Sequence, residues 1–430
     1  MIPVTYVKDL KPSYDMDHGL VYASPARGPW NIVHVGTLVP EAHEIFVCPT
    51  SCLRGVVLTT AEMGVHDKLS TIAVGEDNIL DGDMEERLHD GIVEVIETLP
   101  KRPRMAMVFT SCIHHFLAVN YQRVYRVLRK EYPDIDFTDT YMDPIMRRKI
   151  APMPSLFRQM HRVLQPMEKH AMQANVVGSM FAFHEHSDFA AWFKSQSVDL
   201  RQLQDMETYD EFKDMASSKM NFVFHRYGVP LAKDLQIRLG QPWMMIHLGY
   251  DYDVIDRDMA LACDAMGIAR MADEEIKMLR KACEDKAKET LGLLGDVPIV
   301  IDYTAIDEPF GCALFLLRHG FNVEAVYTDN YLESEEILQS LQQIKPMLKV
   351  YPTVNWNMRV LDRERDGKIV ALGQKAAYFN DTDYFVDIVD NAHMQGYRGI
   401  MRFLDLLADA YVNQKDMRSL IQVKGWGCAC

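Results

Sequence analysis

Short apolar runs, each bounded by polar or turn residues, recur along the chain. A strand buried on both faces of a sheet shows such a continuous run rather than an alternation of apolar and polar residues. Five runs have this character: Ile32–Val35, Met105–Phe109, Ala174–Gly178, Asn221–Phe224 and Pro298–Ile301. The pattern therefore predicts parallel sheets that are covered on both faces.

Longer segments with apolar residues at helical spacing lie between these runs. The clearest are 84–99, 116–131, 258–294 and 335–343. Strands that alternate with helices indicate βαβ units and an α/β fold. Because the pattern fades and restarts near residues 170 and 295, we expect three Rossmann-like parallel-sheet domains, with bounds 1–170, 171–294 and 295–430.

The segment from residue 295 gives the clearest βαβ pattern. A strand is predicted over 297–303, a helix over 310–319 and a second strand over 322–327, with Gly320 ending the helix. Ligands of open α/β sheets bind at the carboxyl ends of the strands. The residues predicted at these ends are Asp302, Tyr303, Thr328 and Asp329. No GxGxxG or Walker A motif accompanies them, so the sequence gives little support for a dinucleotide or ATP site.

Composition and charge narrow the class of protein. The 430 residues are 48% hydrophobic, which excludes a disordered chain, and they carry a net charge of −15 with no long basic run. This argues against a nucleic-acid partner. No apolar run is long enough to span a bilayer, and the first fifteen residues carry charges where a signal peptide needs an apolar core. We therefore expect a cytoplasmic protein with no membrane partner.

The eight cysteines call for a metal or redox hypothesis, because a reducing cytosol disfavours disulfides. Cys112 lies just beyond a predicted strand, and Cys48 and Cys52 are four residues apart, so they approach each other if the segment after Pro49 is helical. Three thiolates at a sheet edge suit an iron–sulfur centre, with a further ligand from another subunit. The alternative is that they are small buried hydrophobes.

The other cysteines are assigned separately. Cys263, Cys283 and Cys312 lie in helical, partly apolar patterns and are predicted to pack in the core. The terminal Cys428 and Cys430 form a Cys-x-Cys pair that binds a soft metal, acts as a redox pair or has no function.

Histidines supply the candidates for proton transfer. His225 follows a predicted strand end and is the first candidate for substrate contact or proton donation, with a capping or core role as the alternative. His184 and His186 lie beyond another predicted strand and are candidates for binding a metal or an anionic substrate. His114 and His115, close to Cys112, are interpreted as hydrogen-bonding residues near the thiols.

The order of motifs over most of the chain resembles the nitrogenase component 1 superfamily. His43 to Cys48 keeps the spacing of the family's His-Gly-Pro-x-Gly-Cys segment, and Val108 to Cys112 matches its second cluster-binding segment. Gly240-Gln241-Pro242 and Gly396-Tyr397-Arg398-Gly399 are similar to later family motifs.

The resemblance implies three α/β domains around a central cleft and an oxidoreductase. It also implies an iron–sulfur cluster, [4Fe-4S] or larger and P-cluster-like, held by Cys48, Cys52 and Cys112. The implied partners are an ATP-dependent iron protein and a second component-1-like subunit, or a second copy of this chain. His225, His184 and His186 would assist proton delivery, and a second metal cofactor is left open.

Departures from the family pattern limit the activity. The segment 23–28 lacks the additional cluster cysteine of nitrogenase subunits, Phe224 stands beside His225, and no histidine occurs in 383–390. These differences argue against an iron–molybdenum site and against dinitrogen reduction. Three roles stay open: a reductase of another substrate, an electron-relay subunit without its own active site, and a scaffold for metallocluster assembly. A non-redox binding module would bind no metal.

Overall fold

A computed structural model of the chain describes residues 3–14, 16, 19–22, 24, 26, 32–141, 152–183, 186–247, 249–363, 367–389, 391 and 394–420. The chain divides into two compact units. The first comprises Met1–Pro29, Phe183–Gln196 and Ile246–Cys430, and the second comprises Trp30–Ala182 and Ser197–Met245.

Strands and helices alternate along most of the described residues, as the sequence predicts. The strands are β1 (Thr5–Tyr6), β2 (Ala42–Cys48), β3 (Leu69–Ala73), β4 (Met105–Thr110), β5 (Asp136–Tyr141), β6 (His170–Val177), β7 (Asp199–Arg201), β8 (Ser218–Val223), β9 (Trp243–Met245), β10 (Ile299–Asp302), β11 (Val323–Tyr327), β12 (Lys349–Tyr351), β13 (Val370–Leu372) and β14 (Phe385–Val386). The α-helices are α1 (Ile32–Thr37), α2 (Thr50–Met63), α3 (Glu76–Asp81), α4 (Met84–Thr98), α5 (Cys112–Phe116), α6 (Tyr121–Glu131), α7 (Pro152–Met160), α8 (Asp188–Ser195), α9 (Tyr209–Asp214), α10 (Val229–Leu239), α11 (Tyr252–Met266), α12 (Asp273–Leu294), α13 (Pro309–Arg318), α14 (Glu335–Ile344), α15 (Gln374–Phe379) and α16 (Gly396–Val412).

The second unit contains two parallel sheets, with strand orders β3-β2-β4-β5 and β7-β6-β8-β9. In the first of these sheets, Ile45 and Val47 of β2 enter a core formed with α4 and α6. Side chains alternate along a strand, so Phe46 lies on the opposite face, where it stacks on Phe109 of β4 with 4.2 Å between ring centroids. Both faces are therefore covered.

The first unit contains the third sheet, in the order β1-β12-β11-β10-β13-β14. All neighbours are parallel except β1, which pairs antiparallel with β12 at the edge. The chain moves outward from β10 to β12 and then returns to β13 on the other side of β10. This arrangement makes a topological switch point between β10 and β13, where open α/β sheets bind ligands.

The predicted α/β class with three Rossmann-like sheets is confirmed, and the domain bounds stay predictions. The predicted strand over Ile32–Val35 is wrong, because these residues begin α1. Ile32, Val33 and Val35 are all buried. A short run that is apolar all round does not distinguish a strand from a buried helical turn.

Two predicted helical stretches are interrupted. The stretch 258–294 contains α11 and α12, because Gly267 ends α11 in the left-handed conformation with φ +75°. The stretch 116–131 contains the end of α5 and the whole of α6, whose cap Asn120 accepts a hydrogen bond from the Arg123 amide. The predicted packing role of Cys263, Cys283 and Cys312 agrees with their burial. Among the described residues, no helix is both long and apolar enough to cross a bilayer.

Candidate functional site

Cys48 and Cys112 leave the same edge of the first sheet. Cys48 is the last residue of β2, and Cys112 is the first residue of α5, two residues beyond the end of β4. The two strands are parallel neighbours whose register places Val47 beside Thr110. The sequence-based prediction that Cys112 emerges at a carboxyl edge is therefore confirmed.

Cys52 lies in the first turn of α2, which begins at Thr50 directly after Pro49. The predicted helix after Pro49 is therefore present, and the Cys52 amide donates to the Pro49 carbonyl at 2.9 Å. The three thiols differ in exposure, since Cys48 is buried, Cys112 is partly exposed and Cys52 is exposed. At this edge, the Cys48 thiol therefore lies inside the unit and the Cys52 thiol lies at its surface.

The thiols influence one another electrostatically. Burial raises the pKa of the Cys48 thiol to about 12, and the neighbouring Cys52 and Cys112 raise it further by charge repulsion. Without a cation at this edge, Cys48 keeps its proton at neutral pH. A bound metal would reverse this preference, because metals bind the thiolate and displace the proton.

Cys48, Cys52 and Cys112 are the candidate ligands of the iron–sulfur cluster that the sequence implies. Three soft sulfur ligands on two neighbouring chain segments match such a cluster in donor chemistry. Within the described part of the chain, however, no three His, Cys, Asp or Glu side chains form a preassembled metal-binding group. The exposed Cys52 can be reached by a ligand from outside the chain.

His114 lies beneath this edge rather than on it. The imidazole is fully buried, and its Nδ1 accepts a hydrogen bond from the Ser111 amide at 3.4 Å. Burial lowers the pKa of His114 to about 4, so the ring is neutral. Its Nε2 is buried without a hydrogen-bond partner. His115, by contrast, is exposed.

His225 follows β8 in the second sheet. Its Nδ1 accepts a hydrogen bond from the Tyr227 amide at 3.1 Å, and the two rings lie 3.8 Å apart between centroids. Gly178, at φ +81°, lies so close to Gly228 that a methyl group on either residue would overlap the other segment's backbone. The carboxyl ends of β6 and β8 are thus joined by a glycine contact that holds the segment carrying His225.

The other two predicted histidines are less well defined. His184 lies outside the described residues. His186 is partly exposed, and its carbonyl accepts a hydrogen bond from the Gln395 amide at 3.2 Å. His186 belongs to the first unit, whereas His225 and the three cysteines belong to the second. The roles of all these histidines stay predictions, and the Cys428–Cys430 pair also lies outside the described residues.

The third sheet has a buried polar cluster at its switch point. Asp302 ends β10, and its carboxylate accepts hydrogen bonds from the amide and hydroxyl of Thr304, both at 2.9 Å, and from the Lys375 amide at 2.7 Å. Burial raises the pKa of Asp302, and the charge of Lys375 opposes this rise. The sequence places Asp302 correctly at a strand end.

Lys375 is the residue that sequence reasoning missed. Its ammonium group is 3% exposed, donates to Thr353 Oγ1 at 3.0 Å and lies 5.1 Å from the Tyr303 ring centroid. Among the described residues, no carboxylate lies within ion-pair distance of it. The only available signal was a lysine three residues after the apolar run Val370–Leu372.

The Gly-Tyr-x-Gly motif has a structural function. Gly396, at φ +75°, leaves room for the Asp188 carboxylate, which would lie 2.6 Å from an added methyl group. Asp188 accepts a hydrogen bond from the Arg398 amide at 3.0 Å. The motif therefore attaches the start of α16 to α8 within the first unit.

Comparisons with known proteins agree with this fold. A solved structure described as "Nitrogenase Cp1 at pH 6.5" matches with a TM-score of 0.67 and 14% identity, covering 94% of this chain and 95% of that chain. A second, "Nitrogenase Cp1 at pH 5", matches with a TM-score of 0.63 and 12% identity, covering 95% and 93%. A search of curated proteins finds no match. The family model of nitrogenase component 1 type oxidoreductases matches residues 33–411, which is most of the chain. This protein therefore belongs to the nitrogenase component 1 type oxidoreductases.

Proposed function

We propose that this chain is a subunit of a nitrogenase-like reductase in which Cys48, Cys52 and Cys112 hold an iron–sulfur cluster, [4Fe-4S] or larger. The observation that carries the proposal is the placement of these three thiols at one edge of the first sheet. Cys52 and Cys112 lie close enough to Cys48 to contribute to the rise of its pKa. Such a cluster, when bound, stores and passes electrons at low potential.

The chain's own residues account for how this edge would accept a cluster. Cys48 supplies a sheltered thiol, which excludes water from one side of the site, whereas Cys52 supplies an exposed thiol that a partner can approach. Each ligand must lose its proton on binding. Because the pKa of Cys48 is about 12, cluster loading should become more favourable as pH rises through the neutral range.

His225 is our candidate for proton donation to substrate. Because Nδ1 accepts the Tyr227 amide hydrogen, the proton of the neutral ring is on Nε2. The glycine contact between Gly178 and Gly228 limits the positions that this ring can take. His184 and His186 are retained as further candidates for proton delivery.

The substrate is proposed to be a compound other than dinitrogen. Phe224 stands beside His225 at one position, and no histidine occurs in 383–390, so the usual cofactor ligands have no counterpart. Lys375, a buried cation without a carboxylate partner among the described residues, is the best candidate in the first unit to contact an anionic group. A second metal cofactor is left open.

The proposal requires partners. An ATP-dependent iron protein would supply electrons, since no nucleotide motif occurs in this chain. The segments that follow the cysteines carry exposed apolar side chains, namely Val57 and Leu58 on α2, Phe116 at the end of α5 and Leu117 directly after it. Exposed apolar patches mark protein interfaces. They support a second component-1-like subunit, or a second copy of this chain, next to the cluster. A cytoplasmic location stays a prediction.

A metallocluster scaffold is the second candidate function. The exposed Cys52 thiol favours it, because a cluster that is to be handed on must be reachable from outside. A scaffold would bind a cluster precursor and show no steady-state reduction when the iron protein and ATP are supplied.

Iron and sulfide analysis after anaerobic purification tests the proposal. Cys52→Ala and Cys112→Ala should each lower bound iron at least several-fold relative to the wild-type chain. Cys263→Ala is the matched control, because this buried cysteine lies in α11 and should leave the iron content unchanged. Equal iron content in all three variants would contradict the assignment of the ligands.

A further inference from the structure

Glu44 is a buried carboxyl group in the middle of β2. Its side chain is 1% exposed, and neither carboxyl oxygen has a hydrogen-bond partner. Gly36 of α1 lies directly against it, so that a methyl group at Gly36 would overlap Glu44 Oε1. The chain therefore makes space for this carboxyl group without satisfying it.

An unsatisfied buried carboxylate is costly and in most proteins is explained by a function or a bound species. Burial raises the pKa of Glu44 well above its ordinary value, and the charge of Lys68 opposes this rise. Lys68 forms no ion pair with Glu44; its Nζ donates instead to the Thr37 carbonyl at 3.0 Å. Glu44 thus binds a proton strongly, and no nearby hydrogen bond fixes its charge state.

The position of Glu44 connects it to the cysteine edge. Glu44, Phe46 and Cys48 alternate on one face of β2, so Glu44 and Cys48 are separated by about 13 Å along the strand. Phe46, stacked on Phe109, fills the space between them. This layer excludes a direct hydrogen bond. It is also apolar, so a charge at the cysteine edge interacts with Glu44 with less screening than it would in water.

We propose that Glu44 takes up the proton that accompanies reduction of a cluster held by Cys48, Cys52 and Cys112. The inference rests on the proposed function. One electron added to such a cluster by a low-potential one-electron donor would make this region more negative by one charge. The added charge would raise the proton affinity of the Glu44 carboxylate, which would take its proton from solvent and form the neutral carboxylic acid, so that proton uptake would offset part of the added charge.

Few other charges face Glu44. The neighbouring strands β3 and β4 contribute no charged residue. The charged and titratable groups with described side chains on the remaining elements that pack against β2 are His34 of α1, Cys52 and Arg54 of α2, and His66, Asp67 and Lys68 of the short turn before β3. On β2 itself, His43 points to the opposite face and contacts Ser70 at 2.8 Å. Glu44 is therefore the one buried carboxyl among these groups.

The size of the coupling follows from the separation. Unit charges about 13 Å apart at an effective dielectric of about 20 change proton affinity about tenfold. By linkage, the same factor applies to the reduction equilibrium, and a tenfold change corresponds to about 59 mV for one electron.

Potentiometric titration of the reconstituted full chain at several pH values tests the inference. The wild-type cluster should become harder to reduce as pH rises, by about 59 mV in total. Glu44→Gln keeps the shape and cannot ionise, so its potential should be independent of pH and equal to the wild-type value at low pH. Glu76→Gln, which alters an exposed carboxylate at the same sheet edge, should follow the wild type.

Infrared difference spectra give a second measurement. Reduction of the wild-type cluster should add a carboxylic acid C=O band that is missing in Glu44→Gln. A cluster whose potential is independent of pH in the wild type, without this band, would overturn the role of Glu44 and leave the proposed function intact. A chain that binds no cluster after reconstitution would contradict both.

Discussion

At the residue scale, burial sets the protonation of the groups that matter most. His43 and His161 have pKa values lowered to about 4 by burial, whereas the pKa values of Glu44 and Cys48 are raised by the same cause. His43, His161 and Cys48 are therefore neutral near pH 7 in the metal-free chain, and burial shifts Glu44 towards its neutral form. A bound cluster would add charge to this part of the second unit.

Replacement of Glu44 by glutamine should stabilise the metal-free protein at neutral pH. The folded pKa of Glu44 lies above its ordinary value of 4.5, so the folded state binds the proton more tightly than the unfolded state. The free energy of unfolding that this tighter proton binding contributes is complete below pH 4.5. About 1.4 kcal/mol of it is lost for each pH unit above that value, up to the folded pKa. The Glu44→Gln variant cannot ionise at this position, so it should show no such loss of stability as pH rises.

Denaturant unfolding of the wild type and Glu44→Gln at pH 5 and pH 7 measures this difference. The gain from the substitution should be larger at pH 7. Glu76→Gln is the control and should show no such increase. A gain that is the same at both pH values would mean that Glu44 is not protonated in the folded chain.

At the scale of elements, the cysteine edge and the His225 segment depend on how strands end. The contact between Gly178 and Gly228 is tight on both sides, because an added methyl group at Gly178 would overlap the backbone of Gly228, and one at Gly228 would overlap the Val177 carbonyl. Gly240 also has a positive φ, +64°, but an added methyl group there would meet nothing within 4 Å. A comparison of substitutions at Gly178 and Gly240 therefore distinguishes the cost of backbone strain from the cost of steric overlap.

Gly178→Ala should destabilise the second unit by about 2–5 kcal/mol, since it combines the left-handed penalty with overpacking. Gly240→Ala should cost about 1–2 kcal/mol from the left-handed conformation alone. Thermal or denaturant unfolding measures both. Equal losses in the two variants would show that the end of β6 can move away from Gly228 without cost.

Apolar runs were a useful but incomplete guide to the strands. β4, β6, β8 and β10 lie where the sequence predicts them, because each is a short, mostly apolar run bounded by polar or turn residues. Ile32–Val35 has the same composition but folds as a helix, since packing on β2 rather than local pattern decides the conformation of so short a segment.

The site was predictable in part. Cys112 could be placed because it follows the predicted strand Met105–Phe109, and Cys48 and Cys52 could be paired because they are four residues apart before and within the helix expected after Pro49. Lys375 and Glu44 could not be recognised, for physical reasons. The environment of Lys375 depends on Thr353 from another strand, and the unsatisfied state of Glu44 depends on Gly36 in a helix that the pattern did not predict.

At the scale of the whole molecule, the two compact units differ in how their stability should respond to acid. Three histidines with pKa values lowered to about 4, His43, His114 and His161, lie in the second unit. In the first unit, the pKa values of Asp188 and Asp302 are raised.

The second unit should therefore unfold first as pH falls from 6.5 towards 4. A histidine with a depressed folded pKa stabilises the protein above 6.5, and this stability is lost below that value, by about 3 kcal/mol for each histidine at pH 4. Glu44 and His89, whose pKa values are raised, act in the opposite direction. Hydrogen exchange at pH 7 and pH 4.5 should show a larger loss of protection in β2, β4 and β6 than in β10 and β11. Equal loss in both units would contradict this.

The central claim, that this chain holds an iron–sulfur cluster at Cys48, Cys52 and Cys112, is tested most directly by an anaerobic EPR spectrum combined with iron and sulfide quantification. The account predicts bound iron and acid-labile sulfide in comparable amounts, with an EPR signal in one of the accessible oxidation states that is lost in Cys112→Ala. A colourless chain without iron after anaerobic reconstitution, unaffected by Cys112→Ala, would contradict it.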